Sequence, residues 1–188
     1  MTQPTIIIGP GSWGKSLAYI CHKANPSSPI ALIKKQKTTF NSLPEKLSKI
    51  PQISLYNHLK NIVQKNSCVI IATPSTAVKG ILTDLKEYGH EGNILCTTKG
   101  FIEDKHVLYP HELYEKINTK NQLFSYLYGP TFAEEILLDY PAQAILASSD
   151  QKNINLWQNI LHSYSFQTLS SKDLKGLAWC SVFKNIVA

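Results

Sequence analysis

Residues 5–14 read TIIIGPGSWG, a short apolar run that passes directly into a glycine-rich turn. The run Thr5–Ile8 has the β-branched composition of a buried strand, and the residues after the turn are typical of a helix. In such a strand–turn–helix unit, the first glycine permits a tight turn, the second lets a pyrophosphate approach the backbone, and the third lets the helix pack closely on the strand. Gly9, Gly11 and Gly14 hold these positions. The stretch predicts a dinucleotide-binding turn, with a plain glycine turn in an α/β protein as the alternative.

Short apolar runs alternate with helical stretches along most of the chain. Seven runs predict strands buried on both faces: Thr5–Ile8, Ile30–Ile33, Cys68–Ala72, Ile94–Thr97, Phe124–Tyr128, Ala142–Ala147 and Phe166–Leu169. Seven stretches predict helices: Gly14–Lys23, Pro44–Lys49, Asn57–Val63, Thr76–Glu87, Tyr109–Ile117, Phe132–Leu138 and Ile154–Ser163. This alternation predicts an α/β fold, doubly wound in the Rossmann manner, with a mostly parallel sheet.

The last segment has a different pattern. Ser170-x-x-Asp173 has the form of a capping box, and a helical stripe follows it, made of Leu174, Ala178, Val182 and Ile186. This apolar helix runs to the last residue without a terminating glycine or proline. We therefore predict a nucleotide-binding domain over residues 1–173, and residues 174–188 as the first helix of a second domain that the sequence does not contain.

Composition and charge narrow the class of protein. Hydrophobic residues make up 43% of the 188 residues and charged residues 17%, which predicts an ordinary globular core. The four cysteines lie far apart, which argues against a zinc site or a disulfide framework. The net charge of +6 favours anionic partners, which are nucleotides, phosphorylated metabolites or nucleic acid. We expect no nucleic-acid partner, because the lysines do not form a basic stripe with stacking aromatic residues.

The sequence also argues against a membrane span, a signal peptide and a metal site. No apolar run reaches the roughly 18 residues of a membrane span. The first apolar run, Ile6–Ile8, passes straight into the glycine turn, and the long apolar segment of a signal peptide is not seen. We therefore expect a cytoplasmic protein without a membrane span. The six histidines lack the spacing of metal ligands, so we expect no metal site.

The residues after the second predicted strand bear on the choice of dinucleotide. An Asp or Glu near this point would bind the ribose hydroxyls of NAD. The strand Ile30–Ile33 is followed instead by Lys34-Lys35-Gln36-Lys37, and this cationic cluster favours the 2′-phosphate of NADP. NAD stays open, because lysines in a solvated loop would have the same pattern.

Two lysines lie where chemistry is expected. Lys99 follows the predicted strand Ile94–Thr97, and ligands of open α/β sheets bind outside the carboxyl ends of the strands. Lys184 lies between Phe183 and Ile186 on the last helix, where partial desolvation suits proton transfer. Each lysine alone also fits an ordinary surface residue.

A strand–turn–helix junction lies between the two lysines. Gly129-Pro130 predicts a turn, and Thr131 is placed to cap the helix Phe132–Leu138. Considered alone, this cap would be structural.

Four sequence elements occur in a defined order: Gly9–Gly14 continuing into Lys15-Ser16-Leu17-Ala18, then Thr98-Lys99-Gly100, Gly129-Pro130-Thr131-Phe132-Ala133-Glu134-Glu135 and Lys184-Asn185. Together they resemble the bacterial NAD(P)-dependent glycerol-3-phosphate dehydrogenases, over essentially the whole chain. The resemblance implies interconversion of dihydroxyacetone phosphate and sn-glycerol 3-phosphate, which supplies the backbone of phospholipids. It also implies that this nucleotide domain is paired with an all-helical C-terminal domain.

The resemblance also implies roles for individual residues. Cofactor contacts would come from Gly9, Gly11, Ser12, Trp13, Gly14, Lys35, Lys99 and Ala133, with Lys35 near the adenosine ribose. Substrate contacts would come from Lys99, Gly129, Thr131 and Lys184. Lys99 and Lys184 would be the catalytic pair, and Lys184 would exchange the proton at the substrate C2 oxygen.

Two stretches depart from the family pattern. Trp179–Phe183 is bulky where small residues are usual, and the loop Lys37–Pro51 is short. Because the family's substrate-phosphate residues belong to the helical domain, we expect this chain to bind cofactor but to be catalytically incomplete alone. A related β-hydroxyacid dehydrogenase and a non-catalytic nucleotide-binding module stay open as alternatives, and so does a homodimer formed through Leu174–Ala188.

Overall fold

The computed structural model describes residues 3–34, 43–103, 107–117 and 124–187, which form an α/β fold with one eight-stranded sheet. Its strands are β1 (Thr5–Ile8), β2 (Ile30–Ile33), β3 (Ile53–Tyr56), β4 (Val69–Ile71), β5 (Ile94–Cys96), β8 (Phe124–Tyr128), β9 (Ala142–Ser148) and β10 (Phe166–Ser171). A separate hairpin consists of β6 (Ile102–Glu103) and β7 (Val107–Leu108). The helices are α1 (Ser12–Ala24), α2 (Glu45–Ser48), α3 (Ser75–Glu87), α4 (Pro110–Ile117), α5 (Ala133–Leu137), α6 (Gln151–Leu161) and α7 (Leu174–Val187).

The strand order of the large sheet is β10-β9-β8-β5-β4-β1-β2-β3. Neighbouring strands are parallel except β8 and β9, which are antiparallel. The predicted doubly wound, mostly parallel sheet is confirmed. As a result, the carboxyl ends of β8, β5, β4 and β1 lie side by side along one edge.

Two clusters of buried side chains attach the helices to the sheet. One face packs α1, α5 and α6, and the other packs α3, α4 and α7. Within β1, Ile7 points into the first cluster while Ile6 and Ile8 point into the second. This double burial explains why the inner strands are continuous apolar runs.

The sequence prediction missed β3. This edge strand is buried at Ile53 but half-buried at Ser54 and Leu55, so it lacks the apolar run of an inner strand. The helix predicted over Asn57–Val63 was also wrong, because that segment contains only the 3₁₀ turn Leu59–Asn61. The hairpin of β6 and β7 was not predicted either.

Two predicted helix caps were placed on the wrong residue. The N-cap of α5 is Phe132 rather than Thr131, and no side chain caps this helix. Ser170 belongs to β10, which continues to Ser171, so it cannot begin the capping box. The Asp173 carboxylate instead accepts a hydrogen bond of 2.7 Å from the backbone N–H of Gly176 in the first turn of α7.

The face that α7 turns towards the sheet is made mostly of small residues. Leu177, Ala178 and Ser181 are buried, while the Trp179 and Phe183 side chains are 39% and 49% exposed. The two aromatic side chains of the departing stretch are therefore only partly covered, and the Trp179 ring packs edge-on against Phe101 and Tyr109. Among the described residues, no helix combines the length and apolarity needed to cross a membrane.

Candidate functional site

The glycine turn after β1 has the close backbone packing that the motif predicts. Gly9 has a φ of +106°, and a Cβ built on it would overlap the carbonyl oxygen of Ala72 after β4. A Cβ on Gly14 would overlap the carbonyl oxygen of Gly9. Only glycine fits these two positions without moving the backbone, so α1 begins close against the ends of β1 and β4.

Gly11 has the opposite surroundings. It is exposed, and a Cβ built on it would meet nothing within 4 Å among the described residues. It precedes the 13-residue helix α1, which has no acidic residue in its first turn. The first amides of such a helix lack partners within the helix and carry partial positive charge, so this open space suits a diphosphate.

The next two loops of this edge follow β4 and β5, and their threonines hold them together. Thr98 Oγ donates a hydrogen bond of 2.9 Å to the carbonyl oxygen of Thr73. The Thr73 hydroxyl is shielded from solvent and has no hydrogen-bond partner among the described residues. A Cβ on Gly9 would lie 2.8 Å from the Thr73 methyl group, so this unpartnered hydroxyl belongs to the loop directly beside the glycine turn. A shielded hydroxyl without a partner fits a site for a polar ligand such as a dinucleotide.

Lys99 follows Thr98 and is exposed at the carboxyl end of β5, as the sequence predicts. The next residue, Gly100, has a φ of +90°, and its N–H donates to Ser181 Oγ of α7 at 3.4 Å. The Lys99 loop is therefore held against α7. Lys184 lies in the same helix, one turn after Ser181, but its side chain lies outside the described residues.

The fourth loop, Gly129–Ala133, follows β8. A Cβ on Gly129 would lie 2.8 Å from both the Ala144 Cα and the Gln143 oxygen, so glycine lets this loop approach β9. The N–H of Thr131 donates to the Gly129 oxygen at 2.9 Å. Gly129, Thr131 and Ala133 are all partly buried at the edge that carries the glycine turn and Lys99.

A buried serine links the fourth loop to α1. Ser16 is fully buried, and its hydroxyl lies 2.8 Å from the Ala133 oxygen and 3.1 Å from the Ser12 oxygen. Ser16 was not among the predicted site residues. The signal that could have found it is a small hydroxyl residue directly before the apolar stretch Leu17–Cys21 of α1.

A charged cluster supports the other end of α5. Asp139 has a φ of +64° and accepts hydrogen bonds from Tyr19 at 2.8 Å and from Lys46 at 3.0 Å. Lys23 forms an ion pair with the same carboxylate at 3.2 Å. Burial opposes ionisation of Asp139, but the hydrogen bonds from Lys46, Tyr19 and Lys23 outweigh it and lower the pKa to about 2. This cluster joins α1, α2 and α5.

The remaining predicted residues divide into those that the structure describes and those that it does not. Ser12 is exposed at the start of α1, and Trp13 is partly buried beside it. Lys34 follows β2, and its N–H donates to the Tyr56 oxygen at 3.0 Å. Lys35 lies outside the described residues. In the described part of the chain, no three His, Cys, Asp or Glu residues come together as metal ligands do.

The family model for the NAD-dependent glycerol-3-phosphate dehydrogenase N-terminus matches residues 4–154. A glycerol-3-phosphate dehydrogenase [NAD(P)+] of Fusobacterium nucleatum is 27% identical over 190 residues, covering 97% of this chain and 57% of that protein. The enzyme of the same name from Francisella tularensis is 28% identical and covers 100% of this chain and 59% of that protein. The chain thus spans under three fifths of the length of these relatives.

Solved structures show the same fold. A crystal structure of glycerol-3-phosphate dehydrogenase from Coxiella burnetii superposes with a TM-score of 0.83 at 22% identity, covering 99% of this chain and 59% of that one. A Plasmodium falciparum pyrroline carboxylate reductase solved with NADP bound superposes less well, with a TM-score of 0.65 at 14% identity, covering 99% and 64%.

Proposed function

Because the chain belongs to the NAD-dependent glycerol-3-phosphate dehydrogenase family, we propose that it supplies the nucleotide-binding part of an oxidoreductase that interconverts dihydroxyacetone phosphate and sn-glycerol 3-phosphate. The observation that carries this proposal is the convergence of four loops on adjacent strands. The glycine turn, the Thr73 loop, the Lys99 loop and the Gly129–Ala133 loop follow β1, β4, β5 and β8 at one edge of the sheet.

The dinucleotide would lie with its diphosphate over Gly11 and the first turn of α1. The open space at Gly11 and the close packing at Gly9 and Gly14 support this placement. Ser12, Trp13 and Ala133 would line the cofactor, and Lys35 would lie near the adenosine ribose. The cationic run that begins at Lys34 supports a preference for NADP over NAD.

The substrate would lie between the Lys99 loop, the Gly129–Ala133 loop and α7. Gly129, Thr131 and Lys99 would contact it. When bound, the reduced nicotinamide supplies a hydride to the ketone carbon. Lys184 would then donate its proton to the C2 oxygen, and the Lys99 ammonium would stabilise the negative charge that develops there. In the reverse reaction, Lys184 would accept that proton.

We further propose that α7 begins a second, helical domain in the complete enzyme. Two observations support this. The curated relatives are longer than the matched region, and α7 presents Trp179 and Phe183 to solvent, stacked with their ring centroids 5.3 Å apart. The 188-residue chain alone would then bind cofactor without completing the reaction. A role in phospholipid synthesis and a cytoplasmic location belong to the same proposal, whereas a homodimer through Leu174–Ala188 would favour the alternative of a non-catalytic nucleotide-binding module.

Turnover can be tested by joining residues 1–188 to the part of the Fusobacterium nucleatum relative beyond its match. We expect the chimera to oxidise NADPH when dihydroxyacetone phosphate is added. We expect no oxidation when the oxidised substrate of a β-hydroxyacid dehydrogenase is added instead. Lys184→Ala should lower the rate on the order of 10²-fold or more while NADPH affinity is retained. Wild-type rates in that variant would remove the role of Lys184. Full turnover by residues 1–188 alone would contradict the claim that they are incomplete.

A further inference from the structure

Tyr56 is an exposed aromatic residue at the edge of the sheet that carries the candidate site. It is the last residue of the edge strand β3 and is 36% exposed. In the parallel register of β2 and β3 it pairs with Ile33. Its carbonyl accepts from the N–H of Lys34 at 3.0 Å, while the Ile33 carbonyl accepts from the N–H of Gly9 at 3.1 Å. Backbone hydrogen bonds thus connect Tyr56 to the glycine turn across β2.

The register also fixes the face of the sheet on which Tyr56 lies. Side chains of paired residues in parallel strands point to the same face. Ile33 belongs to the core cluster under α3, together with Ile8 and Val78. Tyr56 therefore stands on the α3 face of the sheet, beside the residues that follow β2.

The direction of a bound dinucleotide follows from the candidate catalytic residues. The reacting nicotinamide must lie near Lys99, on the β5 side of the glycine turn. The adenosine half must then extend over β2 towards β3. Since neighbouring strands lie about 4.8 Å apart, Tyr56 is about 10 Å from the end of β1, a distance that a ribose and a purine together can cover.

From this placement we infer that Tyr56 stacks on the adenine ring of the bound dinucleotide. The inference rests on the proposed function, because it requires a dinucleotide at the glycine turn. An aromatic ring stacks on a base through its π-face and needs no hydrogen bond, so the contact serves NAD and NADP equally. Tyr56 would therefore contribute affinity, and the lysines after β2 would contribute the choice between the two cofactors.

The test compares variants by titrating each with NADPH, NADH and ADP, which carries the adenosine half alone. Tyr56→Ala should weaken binding of all three by about tenfold, and Tyr56→Phe should bind as the wild type does. Tyr56→Leu, which keeps an apolar side chain and favours folding, should behave like Tyr56→Ala. Tyr88 is the matched control. Tyr88 is also 36% exposed, but it follows α3 at the end of the sheet where β5 begins, away from the candidate site. Tyr88→Ala should therefore leave the affinity for all three nucleotides unchanged.

The outcomes separate the inference from the proposed function. If the folded wild type binds none of the three nucleotides, the proposed function fails. If the wild type binds them and both Tyr56→Ala and Tyr56→Leu bind within about twofold of it, the stacking role of Tyr56 is wrong and the proposed function stands. Equal losses in Tyr56→Ala and Tyr88→Ala would also overturn the inference, because the effect would then not be local to this edge.

Discussion

The Ser16 hydroxyl lies 2.8 Å from the carbonyl oxygen of Ala133, a residue 117 positions further along the chain. This contact attaches the loop after β8 to the helix that begins at the glycine turn. Both elements line the proposed cofactor site, so a fully buried hydroxyl couples its two sides.

Replacing Ser16 with alanine tests this coupling. Ser16→Ala leaves the partly buried Ala133 oxygen without this donor, so the free energy of unfolding should fall by about 1–2 kcal/mol. Thr83→Ala removes an exposed hydroxyl that bonds to the backbone of its own helix, and it should change stability by less than about 0.5 kcal/mol. Urea unfolding of both variants is the measurement. Equal effects would show that the Ser16 contact is unimportant.

Two substitutions in the glycine turn should act on different properties, one on stability and the other on cofactor affinity. Gly14→Ala places a Cβ against the Gly9 oxygen and should cost about 1–3 kcal/mol of stability. Gly11→Ala places a Cβ in open space at a φ of −66°, so the melting temperature should not change. That Cβ fills the space proposed for the diphosphate, so NADPH affinity should fall by about tenfold or more. Unchanged affinity in Gly11→Ala would argue against the proposed diphosphate position.

The two threonines after β4 and β5 differ in hydrogen bonding. Thr98→Val removes a hydrogen bond to the Thr73 oxygen and should destabilise the free protein by about 1 kcal/mol. Thr73→Val removes a shielded hydroxyl that has no partner among the described residues, so stability should stay the same or rise by about 1 kcal/mol. Thermal unfolding without nucleotide compares the two. A loss in Thr73→Val as large as in Thr98→Val would mean that its hydroxyl is paired within the protein.

Asp139 predicts a defined dependence of stability on pH. Its pKa is lowered from 3.8 to about 2, so its stabilising contribution is complete above about pH 4 and is lost as the pH falls towards 2. The carboxylate side chain is 41% exposed, so the effect should be modest. Asp139→Asn keeps a residue that tolerates the positive φ but removes the charge. The wild type should exceed this variant in stability at about pH 5, and the difference should shrink towards pH 2. A constant difference would assign the effect to geometry instead of charge.

Much of the fold could be predicted because local sequence carries it. Inner strands such as β1 and β4 are buried on both faces and must be apolar throughout, and the turns at Gly9 and Gly14 admit only glycine. The edge strand β3 was missed because it is not buried on both faces. It is only partly buried, so Ile53–Tyr56 lacks the continuous apolar run by which the inner strands were predicted.

The candidate site was predictable only in part. Lys99, Gly129 and Thr131 could be placed because the ends of parallel strands meet at one edge. The contact of Ser16 with Ala133 could not, because two distant hydrogen-bonding groups become neighbours only after the helices pack. The cluster at Asp139 likewise depends on the docking of α2 onto α1 and α5. The roles of Lys184 and Lys35 stay predictions, since neither side chain is described.

The central claim is that the open end of α1 holds the diphosphate of a redox dinucleotide. Calorimetric titration of the 188-residue chain with NADPH and with NADH tests it most directly. We expect saturable binding at one site, tighter for NADPH, with the melting temperature raised by the bound nucleotide. A folded protein that binds neither nucleotide at millimolar concentration would contradict the account.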